Sequence, residues 1–182
     1  MRRKLFTFTD SLDGPVHEDM GPGYDYDAPD SVHNMRFDAF PEFEPNFHTV
    51  HLKGYVHITD LINSIPIPRA GWIVSGRLRS IFESFRITDH RYYSLPVVHL
   101  GKEVPDYWWF HLLPTPVDIA AEAKVEEAEA IIESCQALQD VALFRLSSPP
   151  RFAKCYVRED LKIAIEENGM TGIRFGTSRL FR

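Results

Sequence analysis

Eight histidines in 182 residues make a metal centre the first chemistry to test. His48, His51 and His57 lie close in sequence, and Asp60 follows them. On a strand, His51 and His57 share a face but stand about 20 Å apart at ~3.3 Å per residue, and His48 points the other way. Zinc ligands must converge within ~2 Å of one ion. These histidines are therefore read as the polar face of a strand, and no metal site is expected. Asp25-Tyr26-Asp27-Ala28-Pro29-Asp30 has the acidic rhythm of a calcium loop. That loop needs Gly at its sixth position and a bidentate Glu at its twelfth, where this chain has Asp30 and Arg36. Nucleophiles fare no better. Ser75-Gly76 lacks the Gly-x-Ser-x-Gly elbow. Cys155, between Lys154 and Tyr156 in an apolar run, reads as a buried structural thiol. Gly169-Met170-Thr171-Gly172 is a helix stop and turn, not a phosphate cradle. No catalytic residue and no cofactor is expected.

The elements that would carry these residues are legible from period. Residues 48–59 alternate, with Val50, Leu52, Val56 and Ile58 on one strand face and His51, Lys53, Tyr55 and His57 on the other. Asp60–Asn63 leads to an extended connector at Ile65-Pro66-Ile67-Pro68, since each Pro pushes its predecessor out of the helical region. Trp72-Ile73-Val74 is a short strand and Ser75 an N-cap. Leu78, Ile81, Phe82 and Phe85 then form one helical stripe, while Arg77 and Arg79 project elsewhere. Residues 92–100 read as a strand with Pro96 at an edge or bulge. Residues 107–113 read as another, in which Trp108 and Trp109 face opposite sides. Both can be core, or one can anchor a partner.

Residues 118–138 are the longest helix candidate, rich in Ala and Glu, with Asp118 as a possible cap. Strands follow at 141–146 and 152–157, with Ser147–Pro150 as the turn between them. A helix is predicted at 159–168, stopped by Gly169, and a last strand at 172–175. The stretch from Trp72 to Arg79 echoes that from Cys155 to Lys162, strand into Leu-basic helix, which suggests two similar strand–helix units. The fold class expected is α+β, with a mixed or mainly antiparallel sheet and helices near 76–86, 118–138 and 159–168.

Composition narrows the function classes. An apolar fraction of 44% excludes wholesale disorder. A chain of this length buries roughly 70% of its unfolded surface without staples. No run approaches the ~18 apolar residues of a membrane helix. The basic start at Arg2-Arg3-Lys4 turns acidic too soon for a secretory signal. A cytoplasmic protein with Cys135 and Cys155 as reduced, buried thiols is the expectation. The net charge of −6 lies entirely in residues 1–46, where four basic groups meet ten carboxylates. Residues 10–46 are rich in Asp, Pro and Gly, yet Phe37, Phe40, Phe43 and Phe47 punctuate their end. The chain is therefore divided into an acidic, partly irregular leader at 1–46, pinned by aromatics onto the body, and an α+β domain at 47–182. Such a leader reads either as a plain solvated surface or as one that steers a basic partner. Both readings argue against nucleic-acid binding, because phosphates need a basic stripe.

The C-terminal two-thirds resembles a known family. Gly71-Trp72-Ile73-Val74-Ser75 with Leu78-Arg79 and Ile81, the aromatic strand Tyr107–Phe110, Ala142–Leu146, Tyr156-Val157 with Leu161, and Gly169-Met170-Thr171-Gly172-Ile173-Arg174-Phe175 are similar to immunity protein family eleven of bacterial polymorphic toxin systems, formerly a domain of unknown function. The resemblance covers about residues 65–176 and leaves the leader aside. It implies a non-catalytic cytoplasmic binder of a cognate toxin domain, acting by occluding its active site or substrate path. An acidic inhibitor suits a basic cleft such as a nuclease's. The contact candidates, taken from charge clustering, are Asp25, Asp27, Asp30, Glu42 and Glu44. Two rival classes are a hydrolase using His51 or His57 and a general scaffold protein. Stoichiometric zinc would favour the first. Co-purification of a toxin at a fixed ratio separates immunity from the second.

Overall fold

Ser75 ends one strand and starts one helix, and the fold is organised around that junction. In the computed structural model, which describes residues 4–11, 14–18, 20–54, 57–64, 71–120, 122–146 and 154–177, strand β5 (Gly71–Ser75) runs straight into helix α1 (Gly76–Glu83). The Ser75 hydroxyl accepts from the Leu78 N–H at 3.2 Å, the expected N-cap bond. The echo is real in space. Strand β10 (Cys155–Arg158) likewise runs into α3 (Glu159–Glu167), with its cap residue Arg158 aligned on Ser75. Leu78 and Phe82 of α1 share one core with Leu161 and Ile165 of α3. At the end of α3 the Gly169 N–H donates to Glu166 and the Met170 N–H to Ile165. With Gly169 at φ 63°, this is a Schellman stop.

The remaining described elements are β1 (Leu5–Asp10), β2 (Val16–His17), β3 (Val50–Lys53), β4 (Leu61–Ser64), β6 (His90–His99), β7 (Lys102–Leu112), β8 (Pro114–Thr115), α2 (Val125–Ser134), β9 (Leu143–Leu146) and β11 (Ile173–Thr177). Six strands close a barrel in the order β2-β3-β6-β7-β5-β4, in which β2–β4 and β3–β6 are parallel pairs and the rest antiparallel. The other five form a mixed sheet in the order β11-β1-β10-β9-β8. The fold is α+β, as the sequence predicts.

Strand β7 explains how the layers pack. Tyr107 and Trp109 point into the barrel, where they meet Val50, Leu52, Ile73, Tyr93 and Leu95. Trp108, Phe110 and Leu112 point outward, into a second core shared with α1, α3 and the inner face of the five-stranded sheet. A strand covered on both faces reads as a continuous apolar run, not an alternation. On the sheet's far side, Phe144, Leu146 and Tyr156 pack against Ala128 and Ile132 of α2.

Several boundaries move. Helix α2 starts at Val125, not 118, and is capped by Lys124, not Asp118. The Lys124 N–H donates to the Glu127 carboxylate at 2.9 Å, which begins the helix there. Upstream, Ile119 and Ala123 are already buried under the sheet in non-helical backbone. After Ser134 the chain breaks at Cys135 into a 3-10 turn, Gln136–Leu138. The strand expected over 48–59 is only β3, with Val50 and Leu52 buried and His51 and Lys53 exposed. It ends at Gly54, whose φ is 82°. Residues 61–64, part of the stretch that leads to the expected connector, are strand β4. The Pro-containing stretch 65–70 and the turn at 147–150 lie outside the described residues, as do Tyr55 and Val56.

The β6–β7 hairpin was hidden by its turn. His99 pairs with Lys102 across Leu100-Gly101, and both turn residues have positive φ, 51° and 75°. This is the two-residue turn that favours Asn-Gly. Leu100 is 65% exposed there. Leu100→Asn should therefore raise stability by about 0.5–1 kcal/mol, seen as a higher urea midpoint. The bulge expected at Pro96 is present between Leu95 and Val97.

Residues 1–46 are woven into both sheets. β1 lies between β11 and β10, and β2 sits between β3 and β4 in the barrel. The irregular part, residues 20–49, bridges β2 and β3 across one end of the barrel and plugs it.

Candidate functional site

The plug is built around Tyr24. Its hydroxyl accepts from the Val32 N–H and donates to the Asn46 carbonyl, both at 2.8 Å. One phenol thus joins the two ends of the loop. The Asn46 N–H donates to the Asp30 carbonyl at 2.9 Å, and Ser31 and Asn46 form a parallel bridge. Met20, Tyr24, Val32, Met35 and Phe47 then drop into the barrel core, with Phe43 packed beside them. The Phe47 ring centroid lies 5.8 Å from Tyr93 and 6.2 Å from Trp109. Of the four phenylalanines expected to pin the segment, Phe47 is buried, Phe40 and Phe43 are half-buried, and Phe37 is exposed.

The carboxylates decorate the outside of this plug. Asp25, Asp27, Glu42 and Glu44 are exposed, and Asp30 is half-buried. Asp25 Oδ1 accepts from the Asp27 N–H at 3.0 Å, which fixes a tight turn. The bond between Asn46 and Asp30 lays the 25–30 stretch beside the 42–46 stretch, so the five candidates belong to one ordered loop. Aromatic rings lie among them. The Tyr26 ring lies tilted 4.6 Å from His33 and edge-on 4.9 Å from Tyr24, and His48 approaches Tyr24 at 6.2 Å. Arg36, the loop's cation, is held by Asp38 through two bonds of 2.9 Å. That fork keeps the Asp38 carboxyl below its usual range. The surface therefore combines mostly exposed carboxylates with exposed Tyr26 and Phe37.

The other chemistry-bearing residues do not converge. His48, His51 and His57 are exposed, and no group of residues able to hold a metal occurs among the described residues. Asp60 is buried, but its carboxylate is saturated. Oδ1 accepts from Ser75 Oγ at 2.6 Å, and Oδ2 accepts from the Thr171 N–H at 3.0 Å and its hydroxyl at 3.1 Å. That set ties the barrel to the loop before β11. Both cysteines are free thiols; Cys135 is half-buried and Cys155 buried. Burial pushes the Cys155 thiol up to about 12, away from nucleophilic use. Trp109 is fully buried inside the barrel. Trp108 is half-buried under its own chain, with the Arg79 guanidinium 4.0 Å from its ring and its indole N–H donating to Asp106. No helix among the described residues is long and apolar enough to cross a membrane.

One residue stands out that sequence reasoning passed over. His111 is fully buried inside the plugged end of the barrel, and Phe40 of the plug covers it at 5.3 Å, edge to face. The available signal was its place two residues after Trp109, on the same strand face. No protein-family model matches the chain, and no curated protein matches it.

Proposed function

We propose that this protein is a non-catalytic immunity protein, which neutralises a cognate antibacterial toxin domain in the cytoplasm by laying its acidic plug over a basic active site or substrate path. One observation carries the reading. The whole excess of negative charge belongs to residues 1–46, and Asp25, Asp27, Asp30, Glu42 and Glu44 lie on a loop whose apolar side is anchored in the barrel. Carboxylates held on an ordered loop bind a basic cleft with less ordering cost than those on a flexible tail. Exposed Tyr26 and Phe37 supply aromatic contact area among them. The resemblance to an immunity family read from the sequence over about residues 65–176 points the same way, and the saturated Asp60 and buried Cys155 offer little to a catalytic alternative.

The test is co-expression of the toxin domain encoded beside this protein, with and without it, in a naive host. Growth rescue together with a tight complex on a sizing column supports the proposal. A non-toxic neighbour, or toxicity without rescue, overturns it. Reversing all five acidic candidates to lysine should slow association by about 10- to 100-fold at low salt and flatten its salt dependence. An unchanged rate and salt slope would place the contact surface elsewhere.

A further inference from the structure

His111 is an anomalous buried group among the described residues. It is fully buried, and both of its ring nitrogens lack a hydrogen-bond partner among the described residues. The main chain of Arg36 faces the ring without reaching hydrogen-bonding geometry. A six-stranded barrel is narrower than the eight-stranded ones whose interior side chains just fill, so packing side chains are the surroundings expected for the ring. A neutral imidazole tolerates such a place. An imidazolium has two N–H donors and a charge, and needs acceptors or water for both.

The surroundings oppose the charge as well. Arg91 of β6 and Arg145 of β9 face the ring electrostatically, and Arg91 also lies 4.3 Å over the Phe40 ring. From the plug, the Arg36 backbone alone favours the charged ring, and Glu44 acts on the neighbouring Tyr93. Burial is the largest cause; with the two arginines it outweighs the Arg36 backbone, which favours the charged ring, and lowers the His111 pKa to about 4. Once charged, the ring must reach water. Inward lies the β6–β7 ladder, nine paired positions long. Outward lies Phe40, on a loop whose hydrogen bonds from Tyr24, Asp30, Ser31 and Asn46 are internal to the loop itself. Lifting that loop separates apolar contacts, the Arg91–Phe40 contact and the Arg36 main chain from His111, and leaves those internal bonds intact.

We propose that His111 is an acid-sensitive latch, whose protonation releases residues 20–47 of the plug from the barrel end while the two sheets and the helices stay folded. The latch is independent of what binds the plug.

Hydrogen exchange on the full chain at pH 7.0 and pH 4.5, corrected for intrinsic rates, tests it. Protection across residues 20–47 should fall about 10- to 100-fold at pH 4.5, while amides of β5 and β7 keep theirs. In His111→Phe and His111→Gln the drop should vanish. Unchanged plug protection, simultaneous loss of protection everywhere, or an equal drop in both variants overturns the latch. Should both variants fold poorly, the wild-type ring is titrated by NMR. Titration of His111 below pH 5, in step with plug opening, supports the proposal. Titration near 6.5 with the plug closed overturns it.

Discussion

Gly172→Ala should cost about 4 kcal/mol or more, enough to unfold a marginally stable domain. Two independent reasons add. Gly172 has φ 80°, where any other residue is strained. A Cβ there would also overlap the Leu61 carbonyl oxygen and lie 2.8 Å from the Thr59 side chain. The Leu61 carbonyl is main chain at the seam between barrel and sheet, where the Leu61 N–H donates to Thr171 and the Ser11 N–H to Gly172. It cannot shift without breaking those bonds. Gly23→Ala is the control, since φ is 86° there but nothing lies within 4 Å of the new Cβ. It should cost only about 1 kcal/mol, the price of the backbone conformation. Paired urea unfolding curves separate the two. Equal costs at the two sites would show that close approach at the seam contributes nothing.

Acid should destabilise the wild-type chain by up to about 3 kcal/mol at pH 4 through His111 alone. The sign follows from its depressed folded pKa, about 4 against an ordinary 6.5. Below pH 6.5 the unfolded chain takes up a proton that the folded one refuses, so stability falls as pH drops from 6.5 towards 4. Above 6.5 the group contributes no pH dependence. His111→Phe should flatten this part of the stability profile, measured as urea midpoints from pH 7.5 to 4. A variant profile parallel to the wild type would assign the acid loss to other groups. Partial opening of the plug reduces the global figure, because it gives the charged ring water before the rest unfolds.

What the sequence disclosed and what it hid divide by range of interaction. Helices α1 and α3 were legible because Ser75 and Gly169 act within a turn of their own helix. The Pro96 bulge and the two-faced β7 were legible for similar local reasons. Barrel closure was not, since it depends on β2, two residues long, pairing with β3 and β4, which are distant in the chain. β4 itself carries Leu61 and Ile62, both buried, and so shows no alternation. The start of α2 is hard to read because the sequence before it has helical composition, while Ile119 and Ala123 are buried in non-helical backbone. The acidic candidates were chosen on charge. Four of the five are exposed on one loop, while its anchor Tyr24 and the histidine beneath it carried no local signal. A phenol that bonds Val32 and Asn46, like a histidine under Phe40, gains its meaning only from contacts across the chain.

The position of β1 sets an order of events during synthesis. Phe6 pairs with Val157 on one side and Thr177 on the other. The barrel strands, by contrast, all lie between Val16 and Leu112. A nascent chain can close the barrel and seat its plug while β1 still waits, with no neighbour yet made. At roughly 5–20 residues per second, that wait lasts on the order of seconds. Throughout it, Phe6 and Phe8 hang from the ribosome-bound barrel as an unpaired apolar strand, the point at which a chaperone or a sister chain would most readily intervene.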